Sequence, residues 1–463
     1  MNPVLLIDFG STYTKLTAVD LDAEALLGTA ASYTTVQTDI NDGLRLGLER
    51  LEEKTGKLAF SDTFACSSAA GGLRMMTSGL VPELTSEAAK LASLGAGAKI
   101  AGLYSFQLTE DDLEDIHSAK PDIFLLVGGT DGGNQECILY NAKMLASLPP
   151  DFPIVIAGNR SAARECERIL AGHTTYVCPN VMPKFGVLNI EPTQSKIREI
   201  FLDRIVQAKG LSRVTGLLSD ILMPTPSAVL QAMELLSSGC EGEPGIGDLV
   251  AVDVGGATTD VYSMADGMPE QMNTVYKGLP EPFAKRTVEG DIGMRYSVRG
   301  IVEAAGIDQV SRLSGLSVQR AEELLAMLRD HTDKLPEGDS ELEALDYALA
   351  SLAVETAVAR HAGTMEEAYT MMGKTFVQSG KNLMHVKQVV VTGGSLIHTR
   401  RVAEIARHAF WSAAQPNSLR PRDADVWVDK TYILAAMGLL AGRYPAAALR
   451  IMKKELQKYG TEK

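Results

Sequence analysis

Asp8 and Asp253 are the residues of this chain best placed to do chemistry. Each closes an apolar run, 4–7 and 249–252, and each is followed by glycine and small hydroxyl residues: Asp8-Phe9-Gly10-Ser11-Thr12 and Asp253-Val254-Gly255-Gly256-Ala257-Thr258-Thr259. Beyond each tip the chain returns as a second apolar or alternating run, so each segment reads as a β-hairpin with an acid at its head. Gly10, Gly255 and Gly256 can take positive φ and let backbone N–H groups approach phosphate oxygens, while the hydroxyls of Ser11, Thr12, Thr258 and Thr259 offer further donors. A carboxylate beside phosphate is repulsive unless a cation lies between them. Asp8 and Asp253 therefore imply a divalent ion, Mg²⁺, held largely through water, and Lys15 on the return arm adds a positive charge. One such tip is equally an ordinary Asp-Gly hairpin turn; two in equivalent positions favour phosphate chemistry.

A third element supports that reading. Val389-Val390-Val391 is β-branched, as in a buried parallel strand, and Thr392-Gly393-Gly394-Ser395 then allows a sharp turn into a helix starting near Leu396. Flat glycine backbone at 393 and 394, with Ser395 beside it, leaves room for a purine and ribose.

The elements that must carry these residues are read from periodicity. Pro121–Asn134 is a strand entering the glycine-rich run Gly128-Gly129-Thr130-Asp131-Gly132-Gly133, a helix is predicted over 138–148, and 153–159 with 162–170 repeats strand and helix. This βαβα pattern predicts a parallel α/β module at about 85–210. It reads either as a second ligand or partner site at the carboxyl ends of its strands or as a continuation of the first half with tight turns. Helices are further predicted over 193–209, 227–237 and 345–360, with a glycine-rich connector at 242–247. The segment 311–343 reads as helix-prone with a solvated face, Met365, Met371 and Met372 as core filling, and His398 as a surface residue. The seven histidines are dispersed without metal-ligand spacing.

At 463 residues the chain can bury more than one core, and 45% hydrophobic with 22% charged residues is ordinary for a globular protein. A net charge of −14 and the lack of a basic patch interleaved with aromatics argue against nucleic acid as a partner. No apolar run reaches the eighteen residues of a membrane span, and the amino terminus enters a strand without a secretory pattern, so a cytoplasmic location without membrane association is expected. Five scattered cysteines with no C-x-x-C pair make a disulfide framework, a structural zinc and an iron–sulfur cluster poor readings.

In order and spread, the three elements resemble the phosphate-1, phosphate-2 and adenosine motifs of the superfamily of acetate and sugar kinases, heat-shock chaperone ATPases and actin. The matching positions are Asp8, Gly10, Ser11 and Thr12, then Asp253, Gly255, Gly256, Thr258 and Thr259, then Gly393, Gly394 and Ser395. The resemblance implies an α/β, two-lobed actin-like ATPase fold with an insertion in the first half and Mg²⁺–ATP in the cleft between lobes. The first lobe would be 1–244 and the second 245–463, with C-terminal helices returning to the first; connecting helices would lie near 69–76 or later and at 432–440.

Four segments, Ile7–Lys15, Phe124–Gly133, Asn180-Val181-Met182-Pro183 and Val288–Arg295, are together similar to the MutL/GlmL-type accessory proteins encoded with adenosylcobalamin-dependent glutamate (methylaspartate) mutase and related aminomutases. These are unrelated to the mismatch-repair protein that shares the MutL name. The resemblance spans nearly the whole chain and implies an ATP-dependent reactivating chaperone that exchanges damaged cobalamin in such a mutase. It gives Asp8 and Asp253 metal and catalytic roles, leaves the glycines, hydroxyls and Lys15 to hold phosphate, and transfers no client-binding residues. The alternatives are a small-molecule kinase of the same fold, with Asp291 or Asp260 as base, and a nucleotide-regulated scaffold.

Overall fold

The computed structural model describes residues 1–10, 13–34, 40–68, 73–208, 220–371 and 373–459. The chain opens with strands β1 (Pro3–Phe9), β2 (Tyr13–Asp20) and β3 (Ala25–Tyr33), then helix α1 (Ile40–Thr55) and strand β4 (Asp62–Ser67). A second group follows: β5 (Leu73–Gly79), α2 (Glu87–Gly95), β6 (Ala98–Ser105), α3 (Glu110–Ala119), β7 (Ile123–Leu126), α4 (Glu136–Leu145), β8 (Ile154–Ile156), α5 (Arg160–Ile169), β9 (Thr175–Val177) and α6 (Glu191–Ala208). Strand β10 (Asp220–Pro224) and helix α7 (Thr225–Ser238) come next.

Two sheets are built from this half. The order β10-β4-β1-β2-β3 joins β1 antiparallel to β2 and parallel to β4. The order β6-β5-β7-β8-β9 is parallel throughout, with the α/β module's core formed where Phe124, Leu126, Ile154 and Ile156 meet Ile138, Ala142, Leu145, Ala162 and Cys166 from α4 and α5. The parallel sheet starts at Leu73, so its first strand precedes the 85–210 span. The connecting helix expected near 69–76 or later does not include 73–76, which belong to β5 because Leu73, Met75 and Met76 fill a buried strand paired on both sides, while 69–72 lie outside the described residues.

The second half contains β11 (Gly239–Cys240), β12 (Glu243–Pro244), β13 (Leu249–Val254), β14 (Thr259–Met264), β15 (Thr274–Lys277) and β16 (Ala284–Glu289). Helices α8 (Val298–Ala305), α9 (Ile307–Ser314), α10 (Val318–Asp330) and α11 (Ser340–His361) precede β17 (Thr364–Thr370), β18 (Gly373–Ser379) and β19 (Gln388–Thr392). The remainder is α12 (Gly394–Ile397), α13 (Val402–Ala406), β20 (Asp425–Val428), α14 (Leu434–Ala441), α15 (Pro445–Glu455) and β21 (Gln457–Tyr459). The main sheet has the order β16-β14-β13-β19-β20-β21, with β13 antiparallel to β14 and parallel to β19. Its core joins Val250, Val252, Val389 and Val391 to Leu345, Leu349 and Leu352 of α11, whose N-terminus is capped by the Asp339 carboxylate.

Read from the hairpin outward, β3-β2-β1-β4-β10 and β16-β14-β13-β19-β20 have the same order and the same strand directions. The fold is thus a duplicated α/β design. One compact unit comprises Met1–Ala232 with Ala435–Ile451 and the other Met233–Leu434 with Met452–Lys463, so the chain leaves the first unit within α7. The duplication pairs α7, after β10, with α14, after β20. Gly438 of α14 lies so close to α7 that a Cβ there would sit 1.8 Å from the Ala228 carbonyl oxygen.

A smaller sheet, β15-β18-β17, corrects the reading of the late methionines. Met365 is only half-buried and Met371 is fully exposed at the turn beyond β17, next to exposed Tyr369. Methionine suits helical core filling in composition, but Met365 lies on β17 and Met371 just beyond it, on a hairpin strand rather than a helix; Met372 lies outside the described residues.

Candidate functional site

The first tip is built on β1 and β2. Asp8 stands opposite Lys15 across the antiparallel pair and beside Cys66 on β4. Its carboxylate is buried, with the Lys15 ammonium 3.7 Å from Oδ2 and the Thr225 hydroxyl donating to Oδ1 at 2.6 Å. The Cys66 thiol lies 3.6 Å from the same oxygen; burial, then the Asp8 charge, push that thiol well above its ordinary pKa, so it is an inert neighbour rather than a nucleophile. Gly10 N–H donates to the Asp8 and Tyr13 carbonyls, and a Cβ on Gly10 would stand 2.6 Å from the Tyr13 oxygen. Glycine is thus required by close approach. Ser11 and Thr12, the expected phosphate donors, lie outside the described residues.

The second tip repeats the backbone. Asp253, half-buried, stands opposite Asp260 and beside Thr392, and Gly255 N–H donates to the Thr258 carbonyl as Gly10 does to Tyr13. Charge is handled differently here. Buried Arg286 donates to Asp260 Oδ1 through Nε at 2.8 Å, with Nη2 2.6 Å away, and Thr258 Oγ1 donates to Asp260 Oδ2 at 3.4 Å. Burial first, and the Asp260 charge second, push the adjacent Tyr262 phenol well above its usual pKa. Thr259 is fully buried and its hydroxyl donates to the Ile292 carbonyl at 3.0 Å, so it braces the tip from inside.

The segment 290–296 latches this tip. Met294 N–H donates to the Gly255 carbonyl, and Arg295 and Tyr296 N–H both donate to that of Gly256. Gly293 permits the approach, since a Cβ there would lie 2.4 Å from Ala257.

The third motif abuts the second tip. Gly393 has φ of 104° and its Cβ position falls 2.3 Å from the Val254 carbonyl oxygen, while Ser395 Oγ donates to that same carbonyl at 3.2 Å. Gly394 differs: an added Cβ would meet nothing within 4 Å. Thr392 donates to buried Asp429, whose oxygens also accept the Ile433 and Leu434 N–H groups where α14 begins. The exposed His398 lies past this loop.

Within the second unit, then, Asp253, Gly255, Gly256, Thr258, Gly393, Gly394 and Ser395 are neighbours; within the first, Asp8, Gly10 and Lys15 are. Sequence reasoning gave Thr225, Arg286 and Asp429 no part in the site, and it took 288–295 as a segment of the family resemblance without its role as a latch. Thr225 lies 217 positions from Asp8, beyond any local spacing signal. Each tip by itself offers one carboxylate, Asp8 or Asp253, beside a glycine turn, a donor set that would suit a cation whose other ligands are water and phosphate, as Mg²⁺ commonly takes. The open space over Gly394 suits a flat base or ribose.

Two sheets of one topology, each led by an aspartate–glycine hairpin, define an α/β protein of the duplicated actin-like ATPase fold class. The particular family follows from the sequence as a whole: residues 4–456 match the model described as MutL protein, and the chain belongs to that family. It is 48% identical over 462 residues to Protein MutL of Clostridium tetanomorphum, covering 99% of this chain and 100% of that one. Among solved structures it is similar to the activator of the 2-hydroxyisocaproyl-CoA dehydratase from Clostridium difficile with bound ADPNP, at 10% identity, 99% and 100% coverage and a TM-score of 0.34. A ligand-bound xylulose kinase from Lactobacillus acidophilus gives 10% identity, 99% and 93% coverage and a TM-score of 0.38. No described helix is long and apolar enough to cross a membrane.

Proposed function

We propose that this chain is a Mg²⁺-dependent ATPase that reactivates an adenosylcobalamin-dependent mutase, such as glutamate mutase, by driving exchange of its damaged cobalamin. The observation that carries the reading is the pair of aspartate–glycine hairpins on matching sheets in a member of the MutL family. Asp8 and Asp253 position the Mg²⁺ and the water on it. The backbone of Gly10, Gly255 and Gly256, with Ser11, Thr12, Thr258 and Lys15, holds phosphate, and Gly393, Gly394 and Ser395 receive the nucleoside. The metal supplies charge neutralisation on the phosphates; the protein's part is positioning. Hydrolysis can do work on a client only if the nucleotide states differ in client affinity. The protein acts in the cytoplasm.

A kinase of the same fold needs a carboxylate free to accept a substrate proton. Asp260 is held by Arg286 and Thr258, which leaves exposed Asp291 as that reading's base. The deciding experiment combines the protein, Mg²⁺–ATP and fresh adenosylcobalamin with a cobalamin-inactivated glutamate mutase or related aminomutase. Activity should return with ATP and fail to return over repeated rounds with a non-hydrolysable analogue. Confirmed ATP hydrolysis without recovery of the mutase would sink the reactivase role and promote the kinase.

A further inference from the structure

The Asp8 carboxylate is not held by its own hairpin alone. Thr225 begins α7 and donates its hydroxyl to Asp8 Oδ1 at 2.6 Å, the length of a charge-assisted O–H···O⁻ bond; the direction is fixed because an ionised carboxylate can only accept. Its other neighbours hold it less firmly. The Cys66 thiol is a weak donor at 3.6 Å, and Lys15 lies 3.7 Å from the opposite oxygen. Thr225 thus selects Oδ1 and leaves Oδ2 toward Lys15. The first residue of a fourteen-residue helix also places its partially positive N-terminus beside the carboxylate. At the register position beside Asp253, where Cys66 stands beside Asp8, Thr392 gives its hydroxyl to Asp429.

We propose that Thr225 is a positioning residue for Asp8: its hydroxyl pins Oδ1 so that Oδ2 is presented to the hydrated Mg²⁺ of a bound nucleotide. The inference rests on the ATPase reading above and extends it to the start of α7.

A purely structural Thr225 would only dock α7 on β1, and three measurements on the full chain separate the two roles. They are the Mg²⁺ concentration at half-saturation of ATP binding by calorimetry, the kcat for hydrolysis, and the melting temperature of the nucleotide-free protein, each for the wild type, Thr225→Val and Thr225→Ser. Valine keeps the shape and removes the donor. It should raise the Mg²⁺ half-saturation about tenfold, the scale of one hydrogen bond to a charged group, and lower kcat by a similar factor. Serine should restore both, whatever the melting temperature does. Overturning results are a Thr225→Val protein that melts lower yet keeps the wild-type Mg²⁺ dependence, or a folded Thr225→Ser protein as impaired as valine. A wild type that neither binds nor hydrolyses Mg²⁺–ATP removes the ATPase reading itself, and this inference with it. Wild-type hydrolysis with an unaffected Thr225→Val removes this inference alone.

Discussion

The two hairpins share a backbone and differ in how they treat charge. In both, an aspartate is followed two residues later by a glycine whose N–H closes the turn on the carbonyl three residues on, Gly10 to Tyr13 and Gly255 to Thr258. Opposite the first aspartate stands Lys15; opposite the second stands another acid, Asp260, compensated by buried Arg286 from β16. The first tip neutralises its acid across the hairpin, whereas the second delegates neutralisation to the next strand. Duplication supplied the scaffold, and side chains outside the tips, Thr225 in one unit and Arg286 with the 290–296 latch in the other, made the halves different.

The largest expected effect lies in that second arrangement. Arg286→Met leaves Asp260 buried without its cation, and breaking such a pair by removing one partner costs about 3–5 kcal/mol. Unfolding by urea should show that loss, whereas Lys15→Met, whose ammonium is partly exposed and 3.7 Å from Asp8, should change stability by about 1 kcal/mol or less. Equal losses would erase the contrast between the hairpins.

The aspartates themselves come next. Asp8→Asn and Asp253→Asn should each lower ATP turnover by roughly tenfold or more through lost metal positioning. Asparagine still accepts the Thr225 hydroxyl, so the fold around residue 8 should survive. Wild-type hydrolysis in both purified variants would remove the pair from the site. A loss confined to one variant would sharpen the comparison, since the repeated backbone would then carry the chemistry on one side only.

The repeated hairpins were legible because an apolar run, an acid and a glycine fall within ten residues, and the parallel module because strand and helix periods alternate around glycine turns. What was not legible depends on distance in sequence. Thr225 reaches Asp8 from 217 positions away, Arg286 reaches Asp260 from 26, and neither separation leaves a periodic trace. Thr259 shows a subtler limit: as a hydroxyl beside a tip it reads as a phosphate donor, yet strand alternation turns it inward onto Ile292. The segment 69–76 reads as helix because alanine, glycine and methionine dominate it, yet at 73–76 the burial of β5 between β6 and β7 overrides that character.

The smallest perturbation tests the third motif against the second hairpin. Gly393 and Gly394 are adjacent, but the structure gives them different work. Gly393 is held at φ of 104° with the Val254 carbonyl where a Cβ would go, so Gly393→Ala should destabilise the fold by about 1–3 kcal/mol without any ligand present. Gly394 opens onto empty space, so Gly394→Val should melt within a few degrees of the wild type, because valine in a four-residue helix costs little. A purine or ribose lying over that backbone would meet the new side chain, and calorimetry should then show Mg²⁺–ATP binding weakened several-fold in a protein that is otherwise intact. Unchanged affinity in a folded Gly394→Val protein would place the nucleoside elsewhere and leave Gly393 as a purely structural contact with the second hairpin.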